Sequence, residues 1–240
     1  MHRFANPGRF LRLADAILPW VCGATVLSFA VGLYWALFAS PADYQQGETV
    51  RIMYLHVPSA WMSLFVYIVI ALAGASSLIW RHPLADVAAK SAAPIGASFA
   101  FLTLVTGSLW GKPMWGTWWV WDARLTSMLV LFFLYLGHMA LMHAFEDQTR
   151  GYRAAAILAL VGVINIPIIK FSVDWWSTLH QPASVIRLDG PTIDPSMLWP
   201  LLVMVLAFKL FFVTLLLVRM KSELLAARIR ALSLAAVRTA

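Results

Sequence analysis

Apolar residues run along this chain in long unbroken stretches instead of alternating with polar ones. Six such runs lie near 19–39, 58–80, 94–110, 124–144, 154–171 and 198–218. Crossing the hydrocarbon of a bilayer takes about 20 mostly apolar residues as helix, so each run is a candidate span. Backbone groups in lipid must be satisfied within the segment, and barrel strands would alternate, so the pattern predicts helices. The expected fold is all-α: a polytopic membrane protein of six transmembrane helices, one unit over 1–240, with no soluble domain. Outer loops are expected at about 40–57, 111–123 and 172–197, and a cytoplasmic tail at 219–240. Leu, Ala and Arg recur at helical spacing in that tail, which predicts a helix lying along the inner lipid surface, where cytoplasmic partners are met.

Composition agrees. The chain is 61% hydrophobic and 12% charged, with a mean hydropathy of +0.77, too few charges to clothe a soluble globule of 240 residues. The first run follows Arg3, Arg9 and Arg12, and Ala39, Ser40 and Ala42 mimic a cleavage site. A signal h-region is only about 7–15 residues, so this longer run is read as a retained helix. Twelve Lys and Arg fall on the side of the termini (Arg3, Arg9, Arg12, Arg81, Lys90, Arg150, Arg153, Arg219, Lys221, Arg228, Arg230, Arg238), against five on the other (Arg51, Lys112, Arg124, Lys170, Arg187). This predicts both termini in the cytoplasm. The net charge of +7 is then a topology signal and not a nucleic-acid footprint.

Within the runs, Pro58 is expected to open the second span, leaving His56 just outside it, and Pro94 to open the third. Gly96, Ala100, Thr103 and Gly107 predict that the third is a closely packed central helix. Lys209 lies within a span, where it snorkels, meets Asn165 or faces a partner. Cys22 is the only cysteine, which excludes a disulfide framework and a C-x-x-C-H haem attachment site.

Candidate chemistry gathers on the outer side. Ten of the twelve tryptophans fall there, Trp20 and Trp80 being the exceptions, whereas an aromatic belt should populate both interfaces. A lopsided belt and a flat aromatic wall for a planar ligand both remain open. The densest stretch is Trp115-Gly-Thr-Trp-Trp-Val-Trp-Asp-Ala-Arg-Leu-Thr-Ser127. Helical spacing would put Trp115, Trp118, Trp119 and Asp122 on one stripe. Asp122 is placed to cap the fourth span. Arg124 at that N-terminus opposes the helix dipole and so wants an anion, either Asp122 or a ligand carboxylate. Of the six histidines only His56 and His180 lie outside, each two residues before a proline. Two neutral imidazoles from separate loops can ligate a transition metal, haem iron included.

The segment Trp115 to Thr126, including Trp118, Trp119, Trp121, Asp122 and Arg124, resembles the WWD motif of the haem-handling proteins. Length, six spans and the two outer histidines are similar to the cytochrome c maturation C family, CcmC. The resemblance covers essentially the whole chain. It implies a bacterial inner-membrane protein that holds haem b at the periplasmic face against the motif, with iron between His56 and His180. It also implies delivery of that haem to the periplasmic chaperone CcmE, which bonds it through a histidine of its own. The implied partners are the ATP-binding cassette subunits CcmA and CcmB, the small membrane subunit CcmD and lipid, with no nucleic acid. On this reading the protein is a delivery factor for c-type cytochrome biogenesis and not an enzyme. Two rivals are a quinol-linked b-type cytochrome, whose histidines would stack at membrane depth, and a transporter with Lys209 and Asn165 lining a route.

Overall fold

The computed structural model describes residues 6–239, so His2 and Arg3 lie outside the described residues. Seven α-helices form in this order: α1 Pro7–Tyr34, α2 Met53–Trp80, α3 Pro83–Trp115, α4 Ala123–His143, α5 Gln148–Gly162, α6 Asn165–Trp175 and α7 Pro195–Thr239. A π turn, Trp35–Ala39, prolongs α1, and a 3-10 turn, Glu48–Ile52, leads into α2. With α5 and α6 taken as one broken span, six segments are long and apolar enough to cross a membrane, and no strand occurs among the described residues. The break follows from Pro167, which lacks the N–H that would bond the carbonyl of residue 163. The Val163 carbonyl accepts instead from the Ile166 N–H at 3.0 Å, and Asn165 ties the break to α4 by donating to the Ser127 carbonyl at 2.8 Å.

Helix α3 is the centre of the bundle, packing on α2, α4 and α7. Its small residues make this possible. A Cβ on Gly96 would collide with the Tyr135 ring, and Tyr135, fully buried, instead donates across the core to the Ser63 carbonyl at 2.6 Å. Helix α1 is peripheral and lies along α7.

Three expectations about element ends are corrected. Pro58 and Pro94 lie inside α2 and α3 and do not open them. Prolines are tolerated within membrane helices because neighbours satisfy the freed carbonyls. His56 therefore sits in the first turns of a helix and not in a loop. The tryptophan-rich outer loop is also shorter than 111–123, because α3 continues to Trp115. Finally, the tail is no separate surface helix: α7 passes Arg219 without a break and runs to Thr239. Beyond the apolar stretch it is held by Lys221 paired with Asp15 of α1 and by Lys90 of α3 paired with Glu223 at 2.8 Å. Lys209 is exposed on α7, and Asn165 is engaged elsewhere, so the two do not meet.

Candidate functional site at the outer end of the bundle

The site is built where α2 begins, α3 ends, α4 begins and α6 ends. His56 projects from α2 onto α3, where Gly107 leaves it room: a Cβ there would stand 3.0 Å from His56 Cε1. Its Nδ1 lies 3.0 Å from Thr106 Oγ1, and Trp110 meets the imidazole edge-on with ring centres 5.7 Å apart. Trp110 is itself fixed by donating Nε1–H to Gln46 Oε1 at 2.9 Å.

Helix α3 stops at Gly116, whose φ of 75° is a left-handed conformation that suits glycine. From there to Asp122 the chain is not helical, so the expected single stripe of indoles does not form. Trp115 turns to His180, with ring centres 4.9 Å apart. Trp118 is exposed beneath the Lys112 ammonium, and it borders an apolar groove of about 300 Å³ with Leu104, Val105, Ser108 and Leu109. Trp119 packs edge-on against the exposed Trp121 at 5.4 Å, and the buried Trp119 Nε1–H has no acceptor.

Asp122 caps α4 as expected, accepting from the Leu125 N–H at 2.7 Å. Its second oxygen accepts from the Leu179 N–H at 3.4 Å and faces His180 Nδ1 at 3.7 Å, too long for a hydrogen bond. That Nδ1 is buried without a hydrogen-bond partner. Burial, then the nearby Arg124 guanidinium, pull His180 down from the ordinary 6.5 to about 4, against the opposing pull of Asp122. His180 is therefore neutral at pH 7, the state a metal ligand requires.

Arg124 does not turn to Asp122. Its Nε donates to Ser172 Oγ at 3.0 Å and Nη2 to the Lys170 carbonyl at 3.3 Å, both at the end of α6. Thr106 and Ser172 are site residues that sequence reasoning missed. Thr106 carried a signal, standing three residues after Thr103 and four before Trp110 on one helical face. Ser172 carried none.

Of the residues singled out, His56, His180, Trp115, Asp122 and Arg124 come together; His56 and His180 are close enough for their charges to interact. Trp118, Trp119 and Trp121 lie on the non-helical segment that links Trp115 to Asp122. No cluster of three or more His, Cys, Asp or Glu occurs among the described residues, so a polydentate protein-only metal site is not built here.

Comparison with known proteins converges on one family. The family model described as Heme exporter protein C matches residues 1–235. Heme exporter protein C of Bradyrhizobium diazoefficiens is 62% identical over 230 residues, covering 96% of this chain and 87% of that protein. Its counterpart in Escherichia coli K12 is 49% identical over 225 residues, covering 94% and 91%. A ccmC-like mitochondrial protein of cytochrome c biosynthesis from Marchantia polymorpha is 51% identical over 185 residues, covering 77% of each chain. This chain belongs to the CcmC family, heme exporter protein C.

Proposed function

We propose that the chain handles haem for c-type cytochrome biogenesis, holding haem b at the outer end of the bundle with His56 and His180 as axial ligands. It passes that haem to the chaperone CcmE. One observation carries the reading: two imidazoles far apart in sequence lie at one end of the bundle near enough to act on each other, His56 against Trp110 and His180 against Trp115, and the buried Nδ1 of His180 has no hydrogen-bond partner among the described residues. Members of the family named Heme exporter protein C in Bradyrhizobium and Escherichia support it.

The residues present fit a planar iron porphyrin. Neutral imidazoles suit haem iron, and exposed indoles at Trp118 and Trp121 offer broad apolar faces with polar edges. Among the described residues Arg124 Nη1 meets no hydrogen-bond partner, which leaves it available to a carboxylate of the ligand. Bound haem supplies the iron and the propionates; the chain supplies position, stacking surface and two donors. Exposure of these indoles favours delivery over permanent retention, because a cargo must leave. In this reading both termini are cytoplasmic, the site faces the periplasm, and CcmA, CcmB and CcmD assemble with the chain in the inner membrane.

The test is the absorption spectrum of purified protein loaded with haem. Wild type should show a six-coordinate bis-histidine spectrum, and His56→Ala and His180→Ala should each lose it. An unchanged spectrum in both variants removes the ligand assignment.

A further inference from the structure

We infer that the lipid-facing stripe of α7 around Lys209 is a docking surface for a transmembrane helix of another protein, one that carries an Asp or Glu at mid-depth. This surface lies within the bilayer, on a helix that takes no part in the proposed haem site, so it stands or falls independently of that reading.

Lys209 is the only charged residue between Asp194 and Arg219. Trp199 and Arg219, both exposed, are the aromatic and basic residues that flank the apolar run at its two interfaces. The twenty residues from one to the other span about 30 Å as helix, the thickness of the hydrocarbon, and Lys209 stands ten from each. Its Cα is therefore about 15 Å from either interface. A lysine stem reaches little more than one helical turn, about 5.4 Å, so snorkelling leaves the ammonium about 10 Å short of water on both sides.

Nothing in the bundle answers that charge. Lys209 is exposed and has neither an ion pair nor a hydrogen bond among the described residues. The other faces of α7 are already occupied. Phe208 packs on Phe29 of α1 and Phe99 of α3, Phe212 meets Phe65 of α2, and Thr214 Oγ1 lies 2.9 Å from Thr25 Oγ1 of α1. Leu206, Lys209 and Val213, at i, i+3 and i+7, share the face left over, and all three are exposed. A second copy of this chain cannot neutralise the ammonium there, because all eleven Asp and Glu residues lie in loops or toward the ends of the spans. A cation in hydrocarbon needs a counter-ion, and what supplies one while covering an apolar stripe is a membrane helix with a carboxylate near its middle.

The test places the full-length protein in liposomes and titrates in a synthetic transmembrane helix of Leu and Ala carrying one central Asp, with association read by energy transfer between dyes on the two chains. Lys209 packs against nothing in the bundle, so Lys209→Leu leaves the fold intact. The Asp helix should bind the wild type about tenfold more tightly than the same helix with Leu in place of Asp, and Lys209→Leu should erase the difference. Equal binding of the two helices, binding of neither, or a preference that survives in Lys209→Leu overturns the docking. In native membranes, a photo-crosslinking phenylalanine analogue at Leu206 should attach to a membrane segment with Asp or Glu within about one turn of the adduct. Adducts confined to lipid, to a second copy of this chain or to a helix without such a carboxylate overturn it as well. Neither measurement involves haem, so a failure of the haem reading would leave both results unchanged.

Discussion

Replacing Arg124 by Leu should loosen α6 without unfolding the bundle. Arg124 stands in the first turn of α4, yet its guanidinium ties that turn to the last turns of α6. The 3.0 Å bond to Ser172 is the strong one, because Ser172 is fully buried and passes its own proton to the Ile169 carbonyl at 2.9 Å. A hydrogen bond from a charged donor contributes roughly 1.5–3 kcal/mol, and a cation on a helix C-terminus about 0.3–1 kcal/mol more. The sum, about 2–4 kcal/mol, should appear as easier local opening of α6, which corresponds to amide protection falling by about thirtyfold to about a thousandfold. Hydrogen exchange of peptides covering residues 165–180 in the haem-free protein reads this directly. Arg124→Lys should recover the dipole contribution but not the forked bonding. Unchanged exchange in α6 with Arg124→Leu, accompanied by loss of haem binding, would refute the tie and leave the guanidinium purely a ligand contact.

Other consequences are as direct. His180 has a folded pKa of about 4 against an ordinary 6.5, so below pH 6.5 the unfolded chain takes up a proton that the folded site refuses. Apo-protein stability should thus fall as pH drops from 6.5 toward about 4, and His180→Gln should make that part of the melting profile less steep; an identical slope in the variant contradicts the assignment. Gly107→Ala puts a methyl 3.0 Å from His56 Cε1 and should displace the imidazole, lowering haem affinity about tenfold at unchanged protein yield in a haem titration. Spin labels at Leu206 and Ser233 should lie about 40 Å apart along the unbroken α7, and a distance of about 29 Å, that of a tail turned along the membrane surface after Arg219, would refute it.

What was legible in the sequence was what depends on one segment at a time. The six apolar runs, the Asp122 cap and the small residues of α3 each follow from local composition and period, and each is found. Helix ends are not legible from proline alone: at Pro58 and Pro94 the surrounding bundle tolerates the missing donor and the helix continues through them. The indole stripe failed for the opposite reason. Gly116 takes a left-handed turn, and the residues after it follow no helix, so a spacing of three and four ceased to mean a shared face. Arg124 was seen to need a counterpart, but the counterpart lay on a helix nearly fifty residues away, which no period could disclose.

The placement of Arg124 also explains how the site is both firm and open. Two helix ends of opposite polarity meet here, the N-terminus of α4 and the C-terminus of α6. Asp122 satisfies the first and Arg124, two residues later, satisfies the second, so the arginine that would be unfavourable for its own helix dipole is favourable for its neighbour's. Asp122 meanwhile reaches the Leu179 backbone, so the start of α4 anchors both the end of α6 and the root of the loop that carries His180. His56 is anchored independently, by Thr106 on α3. The two candidate ligands are thus fixed through different helix pairs, while Trp118 and Trp121, on the segment between α3 and α4, remain exposed. On the proposed haem reading, donors fixed in this way would give a planar guest one orientation, and indoles left exposed would give it a way out.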